Sequence, residues 1–136
     1  MPQPHRLTVR VRYPEADPMG RLHHAHLLVY FEMGRTELLR ERGIVYADME
    51  ASGRYLAIAE AHVRYRAAAR YDDVLVVETR VREVRGARVE FANRVVRKEP
   101  DGETLIAEAE VTGALVDARG RPMRFTAEER ALLLDS

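Results

Sequence analysis

Apolar and polar residues alternate over residues 7–13, with Leu7, Val9, Val11 and Tyr13 on one side and Thr8, Arg10 and Arg12 on the other. A period of two predicts a half-buried strand. Pro14, Asp17, Pro18 and Gly20 then interrupt the pattern and predict a loop. From about Ala25 to Arg42 the period lengthens. Leu27, Phe31, Gly34 and Leu38 share one stripe, with Leu28 and Leu39 beside it. This is the pattern of an α-helix, roughly 27 Å long at ~1.5 Å per residue. Glu32/Arg35 and Glu37/Arg40 are i,i+3 pairs expected on its exposed side. Arg40 and Arg42 suit the negative end of the helix dipole, and Gly43 suits its C-terminal stop. Gly34 costs about 1 kcal/mol relative to Ala inside a helix. Its place on the buried stripe predicts a close approach of helix and sheet.

Four strand-like segments follow. Tyr55, Ala57, Ala59, Ala61, Val63 and Tyr65 alternate with mostly polar neighbours, and the alanine face is expected to leave room against Gly34. Val74 to Val84 is β-branched and studded with Arg and Glu. Val89, Phe91 and Val95 come after a turn at Arg85-Gly86, and Leu105 to Leu115 after a turn at Pro100-Asp101-Gly102. Both turns have hairpin chemistry. Thr126 and Glu129 form a capping box ahead of Ala-Leu-Leu-Leu, which predicts a short C-terminal helix. The expected architecture is α+β: one domain over 1–136, with a five-stranded antiparallel sheet and one long helix. One helix covers only one face of such a sheet, so the other face is expected to meet solvent or another subunit.

Composition narrows the chemistry. The 136 residues are 46 % hydrophobic and 32 % charged, a globular rather than a disordered balance. With no Cys, disulfides, zinc–cysteine sites and thiol nucleophiles are excluded. Twenty-two basic side chains offset 22 acidic ones, which argues against a nucleic-acid partner. All the basic residues but Lys98 are Arg. The longest apolar runs are four or five residues, against the roughly 20 needed to span a bilayer, so no membrane segment is expected. The N-terminus lacks the apolar stretch of a signal peptide, and the expected location is the cytoplasm.

Candidate functional residues concentrate between the first strand and the helix, from Tyr13 to His26. Free N–H groups and the positive dipole end make a helix N-terminus a good place for an oxyanion. A carboxylate there, Asp17 or Glu15, is a candidate base or nucleophile. His23, His24 and His26 invite a metal reading, but ligands on one helix face want i,i+3 or i,i+4 spacing, and no metal site is expected. Asp72-Asp73 reads as a turn with local ion pairs.

The stretch from Tyr13 to Glu37, YPEADPMGRLHHAHLLVYFEMGRTE, resembles the opening of the hotdog-fold acyl-CoA thioesterases, in particular the 4-hydroxybenzoyl-CoA thioesterase-like group. A second anchor, Arg66-Ala-Ala-Ala-Arg70-Tyr-Asp72-Asp73, resembles that family's strand-connecting segment. The resemblance implies a sheet wrapped around one long helix and hydrolysis of a small aliphatic or aromatic acyl-CoA without a cofactor. It implies Asp17 as catalytic carboxylate, the backbone N–H of His24 as oxyanion hole, and Gly20 and His23 beside the substrate. It also implies homodimers with shared active sites, often paired into tetramers. Arg88 and Arg94 are candidates for the CoA phosphates, because guanidinium binds phosphate through paired bonds. Pro14, Glu15, His23 and Leu27 depart from the family pattern and bear on the substrate pocket. The alternatives are a non-catalytic acyl-CoA or CoA binder, a His-dependent metal hydrolase and a dehydratase of the same fold.

Overall fold

A computed structural model describes residues 3–134. Its strands are β1 (His5–Arg10), β2 (Tyr55–Tyr65), β3 (Val74–Arg85), β4 (Arg88–Glu99) and β5 (Gly102–Val116), and its helices α1 (His26–Glu41), α2 (Tyr46–Ala51) and α3 (Ala127–Leu134). The strands form one antiparallel sheet in the order β1-β3-β4-β5-β2. The two predicted hairpins join β3–β4–β5, and Gly86 at φ +61° supplies the left-handed position of the first turn. Bulges at Ile58/Glu60, Val81/Glu83 and Val95/Val96 bend the strands.

Helix α1 packs on β3 and β1. Gly34 is the point of closest approach: a Cβ there would overlap the Thr79 hydroxyl and lie 3.0 Å from Val77 Cγ1. The partner of Gly34 is therefore β3 and not the alanine face of β2. Ala57, Ala59 and Ala61 lie exposed on the sheet's edge strand. The core has two parts. One gathers Val11, Leu27, Tyr30, Phe31, Leu75, Val77 and Val95; the other gathers Leu38, Leu39, Val84, Val89, Phe91 and Leu133.

Three local expectations change. Tyr13 leaves the strand for a 3-10 turn (Tyr13–Glu15) and is 77 % exposed, edge-on to Tyr71, because Pro14 cannot extend a ladder. Leu28 is exposed and Arg35 buried, the reverse of the assignment from the helical stripe. A short helix, α2, occupies the link after α1, where a six-residue segment is too brief to show a period. The capping box of α3 forms as expected, with Thr126 Oγ1 accepting from Glu129 N–H at 3.0 Å and Glu129 from Thr126 N–H at 2.8 Å.

The sheet face away from α1 is polar. In register across all five strands run Arg6, Glu78, Arg94, Glu108 and Arg64, alternating in sign. Arg94 pairs with Glu78 at 2.8 Å and Arg64 with Glu108 at 3.3 Å. Much of the arginine content thus neutralises strand glutamates. Opposite charges facing across strands are worth only a fraction of a kcal/mol each, up to about 1. None of the described helices is long and apolar enough to cross a membrane.

Candidate active site

The loop between β1 and α1 is held from both ends. Val11 N–H donates to Asp73 C=O at 2.9 Å, and Leu22 N–H to Ala69 C=O at 2.8 Å, which ties the loop to the β2–β3 connection. Asp72 and Asp73 do build that connection as a turn: Asp72 sits at φ +70° and accepts from Arg10, and Asp73 accepts from the Arg70 N–H and from Arg97.

Glu15 closes the loop onto the helix. Its buried carboxylate accepts from Arg12 N–H at 2.7 Å, Arg12 Nε at 3.0 Å and the Tyr30 hydroxyl at 2.7 Å, and lies 3.0 Å from His26 Nε2. Burial alone would raise its pKa. The donors from Arg12 and Tyr30 and the charge of His26 outweigh that and pull it down to about 2. The same bond and burial raise the Tyr30 hydroxyl. Saturated this way, Glu15 acts as a clamp between the loop and the helix.

Asp17 is placed differently. Its Oδ1 accepts from Met19 N–H at 2.9 Å and Arg21 N–H at 3.1 Å. Its backbone N–H donates to Arg21 C=O, and Gly20 N–H returns to Asp17 C=O at 2.9 Å, with Gly20 at φ +78°. No donor among the described residues reaches Oδ2. The same five-residue turn recurs at Asp117–Arg121: Asp117 Oδ1 accepts from Arg119 and Arg121 N–H, and Gly120 stands at φ +81°. Turn building is therefore a generic property of this Asp-x-x-Gly-Arg sequence. What is particular to Asp17 is its surroundings. It borders an open cleft of about 360 Å³ with Arg21, Leu22, His24, Leu27, Tyr65 and Ile106.

His24 lies on the same cleft, two residues ahead of α1 rather than in its first turn. Its neighbours' amides are engaged: His23 N–H with Glu15 C=O, Ala25 N–H with His23 Nδ1 and His26 N–H with His23 C=O. The His24 N–H has no acceptor among the described residues. The Tyr65 hydroxyl donates to the His24 carbonyl at 3.2 Å and steadies the adjoining peptide.

The structure does not bring every candidate here. His23 stacks on His24 with centroids 4.5 Å apart, and its ring caps Ala25 instead of lining the cleft. His26 turns to Glu15, away from the stacked pair of His23 and His24. Among the described residues no group of three or more His, Cys, Asp or Glu is arranged to hold a metal. Arg94 is paired with Glu78 on the opposite sheet face. Arg88 sits at the β3–β4 turn, beside a groove with Glu83, Arg85 and Glu90, while the Asp17 loop adjoins the start of β3. A strand that long separates the two by roughly 35 Å at ~3.3 Å per residue. Tyr65, Arg21 and Tyr30 were not singled out from the sequence as site residues. Tyr65 ends the alternating strand β2, and only its pairing with β5 carries it to His24.

A family model described as the thioesterase-like superfamily matches residues 11–133. The chain is 31 % identical over 118 residues to a putative acyl-CoA thioesterase, YneP, of Bacillus subtilis, covering 86 % of this chain and 83 % of that one. It is 35 % identical over 112 residues to the acyl-CoA thioester hydrolase YbgC of Escherichia coli O157:H7, covering 82 % and 81 %. A crystal structure of 4-hydroxybenzoyl-CoA thioesterase superposes with a TM-score of 0.89 at 19 % identity, covering 97 % of this chain and 99 % of that one, which shows a shared fold. A five-stranded antiparallel sheet on one long helix, shared with that structure, is the hotdog fold. The chain belongs to the thioesterase-like superfamily and is a thioester hydrolase of that family.

Proposed function

We propose that the protein hydrolyses the thioester of an acyl-CoA at the Asp17 cleft, releasing a carboxylic acid and coenzyme A. The observation that carries this is one cleft lined by Asp17, whose Oδ2 takes no donor, and by His24, whose N–H has no acceptor, among the described residues. Asp17 carries the attack on the thioester carbonyl, directly or by taking a proton from the attacking water. As the carbonyl carbon becomes tetrahedral, its oxygen gains charge and accepts from the His24 N–H. One such donor is worth roughly 3–4 kcal/mol in the transition state. The C–S bond then breaks and the thiolate of coenzyme A leaves; on the direct route a water then cleaves the Asp17–acyl anhydride, which releases the acid and restores the carboxylate. Arg21 has no carboxylate partner among the described residues and suits a CoA phosphate better than Arg94, which is held by Glu78. The chemistry so drawn uses no cofactor, and hydrolysis is expected to survive a chelator.

Self-association completes the reading. Helix α1 exposes Leu28, Val29 and Met33, and the edge strand β2 leaves Ala57–His62 exposed, Ile58 among them at 44 %. A second copy laid on this surface would pair the free strand edge and cover the apolar residues. The activity is tested with short aliphatic, long aliphatic and aromatic acyl-CoAs. Hydrolysis of at least one class supports the reading, and tight binding without turnover across the whole panel overturns it in favour of a CoA-ester binder.

A further inference from the structure

At the other end of α1 a buried cation lacks a partner. Arg35 is only 9 % exposed, yet its guanidinium makes no hydrogen bond or ion pair among the described residues. It lines a cavity of about 150 Å³ with Glu32, Thr36, Leu39, Tyr46, Leu56 and Ile58, the last of which borders the surface offered above to a second copy. The cavity exists because α1 packs on β3 and β1 and leaves its β2 flank uncovered, while α2 and the start of β2 close over the gap. The Tyr46 hydroxyl is engaged with the backbone of Leu56, donating to its C=O at 3.2 Å and accepting from its N–H at 3.0 Å, so it does not serve Arg35. Burial pulls the guanidinium below the usual arginine range, opposed by the nearby Glu32 and Tyr46. None of its nitrogens is sealed from solvent, so in the single chain the guanidinium faces the cavity and is open to a ligand that replaces water there.

We infer that this cavity binds a short monocarboxylate on Arg35. A planar carboxylate matches the guanidinium fork through two parallel bonds. Leu39 and Leu56 supply apolar wall for a short alkyl stem. A cavity of this size suits a small carboxylate with a short alkyl chain. Glu32 at the rim adds a like charge that disfavours a dianion such as phosphate. The cavity shares no lining residue with the Asp17 cleft. Arg35 stands roughly 14 Å along α1 from His26. The ligand class is the one that thioester hydrolysis releases, so the pocket would sense product. That role rests on the proposed activity; the binding does not.

The test titrates the assembled protein with sodium propionate, with sodium chloride at matched ionic strength and with sodium phosphate, reading amide shifts and the thermal midpoint. Saturable shifts centred on Arg35, Tyr46 and Leu56, with a raised midpoint, are expected for propionate alone. Arg35→Gln is expected to weaken propionate at least tenfold. Asp17→Asn should bind propionate like the wild type whether or not hydrolysis proves to depend on Asp17, which keeps the two readings separable. Propionate shifts no larger than those of chloride overturn the inference, as do unchanged affinity in Arg35→Gln or shifts centred on the Asp17 loop. Loss of self-association in Arg35→Gln, with no propionate binding by the wild type, also overturns it and assigns Arg35 to a carboxylate of the second copy. Should Arg35→Gln fail to fold, the location of the wild-type shifts decides alone.

Discussion

Replacing Asp17 by Asn separates chemistry from turn building, because the molecule carries its own control at Asp117. In both turns the Asp Oδ1 accepts two backbone N–H bonds. Asn keeps an oxygen in that place and loses only the charge. A bond to a charged acceptor contributes about 1 kcal/mol more than a neutral one, and solvent access lowers that, so each substitution is expected to cost roughly 1 kcal/mol. For a chain of this size that is a fall of about 3–5 °C in melting temperature. The activities should diverge. Asp17→Asn removes the attacking group and is expected to lower kcat by about 10²–10⁴-fold, equivalent to roughly 3–5 kcal/mol and well beyond the cost of the turn. Asp117→Asn should stay within about twofold of wild type, since no solvent-exposed change of ~1 kcal/mol far from the cleft alters the transition state. The assay is release of free thiol from an acyl-CoA, and because the chain has no Cys, the thiol reagent reads coenzyme A alone. Turnover of Asp17→Asn close to wild type would remove Asp17 from the mechanism. An equal loss in Asp117→Asn would show that turn integrity, not the carboxylate, is being measured.

Three further outcomes follow from named contacts. Glu15→Gln leaves the donors of Arg12 and Tyr30 poorly answered; because the native pKa of Glu15, about 2, lies below its ordinary 4.5, the stability it adds is complete above about pH 4.5 and drains as pH falls toward 2. That gap is worth roughly 3 kcal/mol, so the deficit of the variant in denaturant unfolding should be large at pH 7 and vanish near pH 2; a deficit independent of pH would refute the clamp. Gly34→Ala gains about 1 kcal/mol of helix propensity but drives a methyl into Thr79 and Val77; overpacking of about 1–3 kcal/mol should prevail, and an unchanged denaturation midpoint would show that α1 can lift off the sheet. Tyr65→Phe removes the donor to the His24 carbonyl; a loss of about 0.5–1 kcal/mol predicts a two- to fivefold fall in kcat with little change in melting temperature, and unaltered kcat would free the His24 peptide from that support.

How much of this was legible before the fold was known depends on the range of the interaction. The strands, the long helix, both hairpin turns and the capping box are written in local periods and turn residues, because backbone geometry repeats every 2 or 3.6 residues wherever the chain lies. The candidate loop was legible too, since Asp17, Gly20 and the helix start are neighbours in sequence. Tertiary contact alone decided the rest. Glu15 and Asp17 look interchangeable in the chain, and only the arrival of Tyr30 and His26 makes one a saturated clamp and leaves the other free. Gly34 announced a close approach, but the helix axis chose Thr79 and Val77 over the alanines of β2. Arg35 looked like a surface partner of Glu32, and the closing of α2 and β2 over that flank buried it instead. Composition fixed which groups were available, and with Cys absent it left carboxylates and amides for the chemistry. Which of the two loop carboxylates is tied up depended on α1 packing back onto the loop, and no local period records that contact.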